Sequence, residues 1–275
     1  MKNTLALLAL SSLLAVSACK KTENNNNATN VIEAPETERF TVDSVKISDS
    51  LKINDSLTVK YTSKMLVFPT LKDKKLLDSI YFTGKGISDF SKNGLQNYLQ
   101  KSKNEYFNQI RKDSEEWGSD LTFAQEWYSD TGMSVKSNIN DYLHIGYVWG
   151  SYEGGAHDNY GFSERVFDLK NNKKVELKDI TSMPAMSMEA LLMKNINKIN
   201  SGTTDNKGQV NNSEMLLVDK IPATENFYFD EKNLYFHYSP YEIAAFAAGD
   251  ITIPVSWTDL KGTLNPEFMK RMKIN

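Results

Sequence analysis

Short stretches in which apolar and polar residues alternate recur along this 275-residue chain, and brief polar turns separate most of them. The clearest covers residues 57–67, where Leu57, Val59 and Tyr61 alternate with threonine and lysine. A period of two is typical of a strand with one buried face. The other predicted strands are residues 142–149, 160–169, 226–229, 234–238 and 251–255. Because these strands follow one another so closely, the pattern favours antiparallel pairing.

Few segments have the spacing of an amphipathic helix. Residues 90–117 and 188–199 do, which predicts two long helices, and a shorter helix is predicted near residues 72–81. Asn265 followed by Pro266 is typical of a helix start and predicts a terminal helix. The sequence therefore predicts an α+β fold: a mainly antiparallel sheet with two long helices packed on it, preceded by a flexible tether and lacking βαβ units.

The amino terminus has the pattern of a secretory signal. Lys2 is followed by an apolar segment over residues 5–16, which is too short to span a bilayer. The string VSAC at residues 16–19 resembles a bacterial lipobox, in which the peptide is cut before the cysteine and the cysteine is acylated. Cys19 is the only cysteine of the chain, so an intrachain disulfide is excluded. We therefore predict a signal peptide at residues 1–18 and lipidation of Cys19, which would anchor the protein to a membrane.

The predicted division of the rest of the chain follows composition. Residues 19–39 are rich in asparagine and poor in apolar side chains, which predicts a disordered tether behind the lipid. Residues 40–150 and 151–275 are predicted to be the N-terminal and C-terminal parts of one α+β unit. By resemblance to lipoprotein sorting signals, Lys20 in place of aspartate is expected to favour the outer membrane over the inner membrane of a two-membrane cell.

Two strings stand out as candidate sites. The first, YEGGAH at residues 152–157, places His157 and Glu153 beside paired glycines that allow a tight turn. The second, SPYEIAAFAAGD at residues 239–250, contains Tyr241 and Glu242. Its alanine-rich part predicts a short helix with Glu242 one turn inside its start, where a carboxylate is favoured. The candidate ligand-binding residues are Tyr152, Glu153, His157, Tyr241 and Glu242. For each string a structural role in the connection of strands is the favoured interpretation, and contact with a ligand is the alternative.

Known catalytic signatures are missing from the sequence. It has no G-x-S-x-G elbow and no phosphate-binding Walker loop. The three histidines, His144, His157 and His237, are not spaced as metal ligands on a helix, and His144 and His237 are interpreted as structural. We therefore predict no metal and no cofactor. A net charge of −3 argues against nucleic acid as a partner.

The later motifs resemble a known family. They are similar to an extracytoplasmic pair of domains of unknown function that forms the ectodomain of lysozyme-sensing anti-sigma factors and occurs beside peptidoglycan deacetylase domains. The residues that carry the resemblance are EGGAH at 153–157, FDL at 167–169, VELKDI at 175–180, FYF at 227–229, LYF at 234–236, SPYEI at 239–243, AG at 248–249 and IPV at 253–255. The later motifs cover roughly residues 150–260, and the stretch from about 55 to 150 is similar to the first member of the pair. The resemblance implies one continuous α+β unit. It implies no particular binding residues.

These observations together predict an envelope lipoprotein that acts as a non-enzymatic binding module. The expected ligand is peptidoglycan, another glycan, or an envelope protein such as lysozyme. One alternative is an envelope hydrolase that uses His157 with Glu153 or Glu242 as acid and base. A second alternative is a purely structural lipoprotein. The first alternative requires the turn at residues 152–157 and the segment at 239–250 to meet in space. It also requires His157 to lie in a cleft within hydrogen-bond reach, about 2.6–3.2 Å, of a carboxylate.

Overall fold

The period-two stretches form two sheets in the computed structural model, which describes residues 40–117 and 123–275. The first sheet has six strands, and their spatial order is their chain order. They are β1 (Asp43–Lys52), β2 (Leu57–Val67), β3 (Gln125–Ile139), β4 (Tyr142–Tyr152), β5 (Asn159–Asp168) and β6 (Lys173–Lys174). Four of the five pairings in this sheet are antiparallel, as the sequence predicts. The predicted signal peptide, Cys19 and tether lie outside the described residues.

The remaining pairing corrects one sequence-based prediction. Strands β2 and β3 are parallel neighbours, and α1 (Lys74–Ile80) and α2 (Lys92–Trp117) connect them. The sheet therefore contains a βαβ unit, contrary to the prediction from the sequence. A parallel pair requires a long crossover, and the helical segment between these strands supplies it.

The composition of residues 130–132 (Asp, Thr and Gly) predicts a turn between two strands. That prediction is also wrong, because β3 continues through these residues. Asp130 pairs with Thr62 on one side and with Gly150 on the other, so both neighbouring strands hold this segment extended. Thr131 Oγ1 lies 2.7 Å from Ser63 Oγ of β2. The actual turn is at Asn140 and Asp141, whose positive φ angles of 51° and 61° are typical of a two-residue hairpin.

The helices α1 and α2 cover one face of the first sheet. Buried Leu76 and Ile80 of α1 and Leu95 and Leu99 of α2 pack against odd-numbered residues of β4 and β5. Those sheet residues are Leu143, Ile145, Tyr147 and Phe167. Even-numbered residues of the same strands consequently point to the opposite face.

A second sheet and its helices pack on that opposite face. Its strands are β9 (Phe227–Phe229), β10 (Asn233–Tyr238) and β11 (Ile251–Ser256), with β10 in the centre and both pairings antiparallel. The remaining elements are α3 (Leu177–Ile180), α4 (Ala185–Asn195), the small hairpin of β7 (Thr204–Asp205) and β8 (Gly208–Gln209), and α5 (Pro266–Met272). Tyr142 of the first sheet contacts Phe229 and Phe268, at ring-centroid distances of 5.3 and 5.7 Å, and so joins the two cores. Helix α4 ends four residues before the predicted end, where Asn195 turns its side-chain amide to the Pro254 carbonyl, 2.8 Å away.

The side chain of Asn226 links the two sheets at the outer edge of β5. Strand β6 pairs only with Phe167 and Asp168, so the earlier part of that edge has no strand partner among residues 40–117 and 123–275. The Asn226 amide accepts a hydrogen bond from the Glu164 N–H and donates to the carbonyls of Phe162 (3.2 Å) and His237 (2.8 Å). The side-chain amide of Asn226 thus forms the hydrogen bonds to β5 that the backbone of a neighbouring strand would otherwise form.

We expect Asn226→Ala to lower the free energy of unfolding by about 1–3 kcal/mol, because it leaves backbone groups of β5 and β10 without partners. Urea unfolding measures this change. Asn138→Ala is the matched control, since Asn138 is exposed, and its effect should stay within about 0.5 kcal/mol. Equal effects of the two substitutions would contradict the bridging role of Asn226.

Across the described residues, no helix combines the length and apolarity needed to cross a bilayer.

Candidate ligand-binding groove

The structure brings the two singled-out strings together. The imidazole of His157, in the loop after β4, stacks on the ring of Phe246 with centroids 4.1 Å apart and an interplanar angle of 19°. Its Nε2 atom lies 3.4 Å from the Tyr241 hydroxyl. Gly154 and Gly155, with φ angles of 90° and 110°, provide the turn that returns the chain towards β5.

The segment from Ser239 to Asp250 does not form the predicted helix. Only Phe246–Ala248 makes a short 3₁₀ turn. Before it, the Ile243 carbonyl accepts from the Leu217 N–H and the Ala245 N–H donates to the Met215 carbonyl. These bonds hold the alanine-rich residues extended against a neighbouring loop, so tertiary pairing overrides their helix propensity. Glu242 therefore lies in a turn, where its Oε2 accepts from the Ser239 N–H at 3.1 Å.

Between this segment and the end of the β4–β5 hairpin lies a groove of about 520 Å³. Most of its lining residues are aromatic or carry a hydroxyl, amide or carboxylate. They are Trp149, Ser151, Asn159, Tyr160, Phe162, Ser163, Ser239, Pro240, Tyr241, Glu242 and Phe246. Trp149 and Tyr241 are 49% and 58% exposed, which is unusual for such large side chains. We refer to this set of residues as the aromatic groove.

The floor of the aromatic groove is held in place by hydrogen bonds to β5. The Phe162 N–H donates to Ser239 Oγ at 3.0 Å, and Ser239 Oγ donates to the Phe162 carbonyl at 3.3 Å. Trp149 lies flat over Gly161, where an added Cβ would be 2.7 Å from the indole nitrogen. Its indole can occupy this position because residue 161 has no side chain.

Of the five candidate residues, three belong to the aromatic groove or its rim and two do not. Tyr241 and Glu242 line it, and His157 contacts Tyr241 and Phe246. Tyr152 packs instead against the core beneath α2, and its hydroxyl donates to the Gly155 carbonyl at 3.1 Å. Glu153 lies near Tyr106 of α2, whose pKa rises to about 12 through burial and through this carboxylate.

The polar partners of the His157 ring bear on the hydrolase alternative. Within the described part of the chain they are the Tyr241 hydroxyl and the Asp158 carbonyl, the latter 2.7 Å from Nδ1. No carboxylate there is hydrogen-bonded to the ring. The histidine–carboxylate pair that the hydrolase alternative requires is therefore not formed between His157 and either Glu153 or Glu242.

Directly behind the aromatic groove lies a line of four ionisable side chains, which we call the buried charge network. His144 Nε2 lies 2.7 Å from Glu164 Oε2, Glu164 Oε1 lies 3.1 Å from His237 Nδ1, and His237 Nε2 lies 3.0 Å from Asp250 Oδ2. His144, Glu164 and His237 are buried, and the ring of Phe162 stacks on His237 with centroids 4.9 Å apart. The network thus connects the floor of the groove to both sheets.

Hydrogen bonds and neighbouring charges together outweigh the effect of burial on the pKa values of this network. Burial alone would raise the pKa of Glu164, but hydrogen bonds and charge from His144 and His237 lower it to about 2. Burial alone would lower the pKa of His237, but hydrogen bonds to Asp250 and Glu164 raise it to about 9. His237 is therefore a buried cation at neutral pH, shared between two carboxylates.

Sequence reasoning assigned His144 and His237 to structural positions but did not predict that they meet at one carboxylate. The proximity of His144 to Glu164 could have been predicted from their positions in the strands. Both residues are even-numbered and their strands pair, which puts them on the same face of the sheet. The third member, His237, belongs to the second sheet. No local sequence pattern predicts which residue of that sheet lies opposite Glu164.

Comparisons with known proteins agree with part of the predicted resemblance. The family model described as "Protein of unknown function (DUF3298)" matches residues 169–258, a segment that includes the second sheet and one wall of the aromatic groove. Trp149 and Tyr160, which line the opposite wall of the aromatic groove, precede the matched segment in the sequence. No curated protein matches the chain. The lipoprotein signal and the anti-sigma context remain predictions.

Two solved structures share the fold. One is a member of the DUF3298 family from Bacteroides fragilis NCTC 9343, with 20% identity and a TM-score of 0.70, over 86% of this chain and 98% of that chain. The other is a DUF3298 family protein from Pseudomonas aeruginosa PAO1, with 15% identity and a TM-score of 0.51, over 83% of this chain and 96% of that chain.

Proposed function

We propose that the protein is a non-enzymatic module that binds a saccharide of the cell envelope in the aromatic groove. The observation that carries this proposal is the pairing of two exposed aromatic side chains, Trp149 and Tyr241, with polar groups in one concave site. Aromatic rings offer flat apolar faces to the carbon face of a sugar ring. The surrounding hydroxyl, amide and carboxylate groups match the hydroxyl groups at the sugar's edge.

The expected ligand is peptidoglycan or a related glycan, on the basis of the family resemblance described above. The predicted lipid at Cys19 and the tether at residues 19–39 would hold the module at a membrane outside the cytoplasm, with the outer membrane favoured. An envelope protein such as lysozyme is the competing ligand. A polar groove that accepts one or two sugar rings is a better match to a glycan than to a protein surface, which needs about 800 Å² per partner.

Isothermal titration calorimetry of the fragment from residue 39 to residue 275 tests the proposal. This fragment is one compact unit, so it is suited to work without the N-terminal segment. Muropeptides and N-acetylglucosamine oligomers should each release heat. Trp149→Ala or Tyr241→Ala should weaken binding roughly 5- to 30-fold, because each removes about 1–2 kcal/mol of stacking.

Phe123→Ala is the matched control for these substitutions. Phe123 is 65% exposed and does not line the groove, so its removal should leave the affinity unchanged. Heat with lysozyme and none with either glycan would replace the proposal by a protein-binding role. Release of new reducing ends from the glycan on incubation would instead favour the hydrolase alternative.

A further inference from the structure

A second concave site lies on the other side of Trp149. It is a cavity of about 350 Å³ between α2, the end of α1 and the first sheet. Its walls are mainly apolar and include Tyr61, Met65, Phe82, Leu99, Tyr147 and Trp149. We refer to it as the apolar cavity.

The chemistry of the apolar cavity differs from that of the aromatic groove. Met65, Leu99 and Tyr147 are buried beneath it, so its base belongs to the main core. Its polar lining includes Lys64 and the hydroxyl pair of Ser63 and Thr131, whose oxygens are 2.7 Å apart and hydrogen-bonded to each other. No carboxylate side chain belongs to its described lining. Such a site favours an aliphatic group over a sugar.

The two sites adjoin each other. Trp149 and Ser163 line both the apolar cavity and the aromatic groove. The indole of Trp149 lies over Gly161 and is half exposed, so this shared side chain is accessible to solvent. The indole thus adjoins the polar groups of the aromatic groove and the aliphatic side chains of the apolar cavity.

We propose that the natural ligand is a saccharide with an aliphatic arm, with the sugar in the aromatic groove and the arm in the apolar cavity. This inference rests on the proposed function and narrows its ligand class. The shared chemistry is an apolar chain attached to a sugar, whether that chain comes from a lipid or from an apolar peptide branch. A single ligand explains why two sites of opposite character have a common wall.

Alkyl glycosides of N-acetylglucosamine with methyl, butyl and octyl chains test this inference by calorimetry below their micelle concentrations. Each buried methylene group contributes about 0.8 kcal/mol, or roughly a fourfold gain in affinity. The octyl glycoside should therefore bind at least 100-fold more tightly than the methyl glycoside. A muropeptide and a short-chain glycolipid, compared at equal sugar content, distinguish the two sources of the arm.

Ser102→Leu places a larger side chain in the apolar cavity from the surface of α2. In this variant the octyl glycoside should bind no more tightly than the methyl glycoside, while the methyl glycoside keeps its affinity. Asn108→Leu, an exposed position on the same helix, is the control and should keep the full chain-length dependence. Circular dichroism and the unfolding midpoint establish that both variants fold.

The outcomes separate the two proposals. Binding that does not depend on chain length contradicts the inference that an aliphatic arm occupies the apolar cavity. It does not contradict the binding of a saccharide in the aromatic groove. A chain-length dependence that Ser102→Leu does not change also overturns the assignment to this cavity. Absence of binding by every glycoside and by the glycans named earlier overturns both the inference and the proposed function.

Discussion

Replacing Glu164 with glutamine should lower the free energy of unfolding by roughly 3–5 kcal/mol, the cost typical of breaking a buried ion pair. Glu164 is only 7% exposed and is the central acceptor of the buried charge network, with hydrogen bonds to His144 and His237. Glutamine keeps the size of the side chain but removes its charge, so cationic His237 is left with Asp250 alone. Urea unfolding at pH 6 measures the change.

Glu231→Gln is the matched control for this prediction. Glu231 is exposed, in the turn between β9 and β10, and its substitution should change stability by less than about 0.5 kcal/mol. NMR titration gives an independent readout, because the pKa of His237 should fall when one of its two carboxylate partners is lost. A stable Glu164→Gln variant with an unchanged His237 pKa would show that the network does not hold the two sheets together.

The strands were the most predictable part of the fold. Residues 57–67 were predicted as one strand, and β2 has those bounds, because a half-buried strand shows its two faces directly in the alternation of its residues. The β9–β10 hairpin was predicted for the same reason, and the terminal helix because Asn265 and Pro266 are a local start signal. These features depend on neighbours in the sequence.

The features that were predicted wrongly depend on distant partners. The segment around Thr131 has the composition of a turn, yet it lies between two strands that supply its hydrogen bonds. The alanine-rich segment after Glu242 has helix propensity, yet it pairs with residues 215–217. In both places tertiary hydrogen bonding outweighs a local preference worth a few tenths of a kcal/mol per residue.

The candidate site was only partly predictable. The glycine pair before His157 and the proline turn before Tyr241 are local signals, and they did indicate two segments that meet. Trp149 and Tyr160 were read as ordinary strand residues, because exposure at the end of a sheet cannot be inferred from alternation. Glu164 and His237 are 73 positions apart, and only the packing of one sheet on another brings them together.

The position of the buried charge network gives it a second consequence beyond stability. His237 stacks under Phe162, and the backbone of Phe162 is bonded to Ser239 in the floor of the aromatic groove. A change in the charge of His237 therefore alters packing one layer below the ligand. We expect conditions that neutralise His237 to weaken saccharide binding together with the fold.

Stability should be highest between about pH 4.5 and pH 6.5 and should fall by about 3 kcal/mol as the pH rises to 9. The pKa of His237 is raised from 6.5 to about 9, so its contribution is complete below pH 6.5 and is lost as the pH passes through 9. The pKa of Glu164 is lowered from 4.5 to about 2, so its contribution is present above pH 4.5 and is lost as the pH falls towards 2. Urea unfolding from pH 3 to pH 9 gives the profile.

Two histidine variants assign the alkaline side of this profile. In His237→Gln the titrating group is absent, so the loss of stability between pH 6.5 and pH 9 should largely disappear, although the variant is less stable at every pH. His157→Gln is the control, because His157 is exposed at the rim of the groove and lies outside the buried charge network. It should keep the slope of the original protein. If His157→Gln flattened the profile and His237→Gln did not, the buried His237 cation would not be the source of the pH dependence.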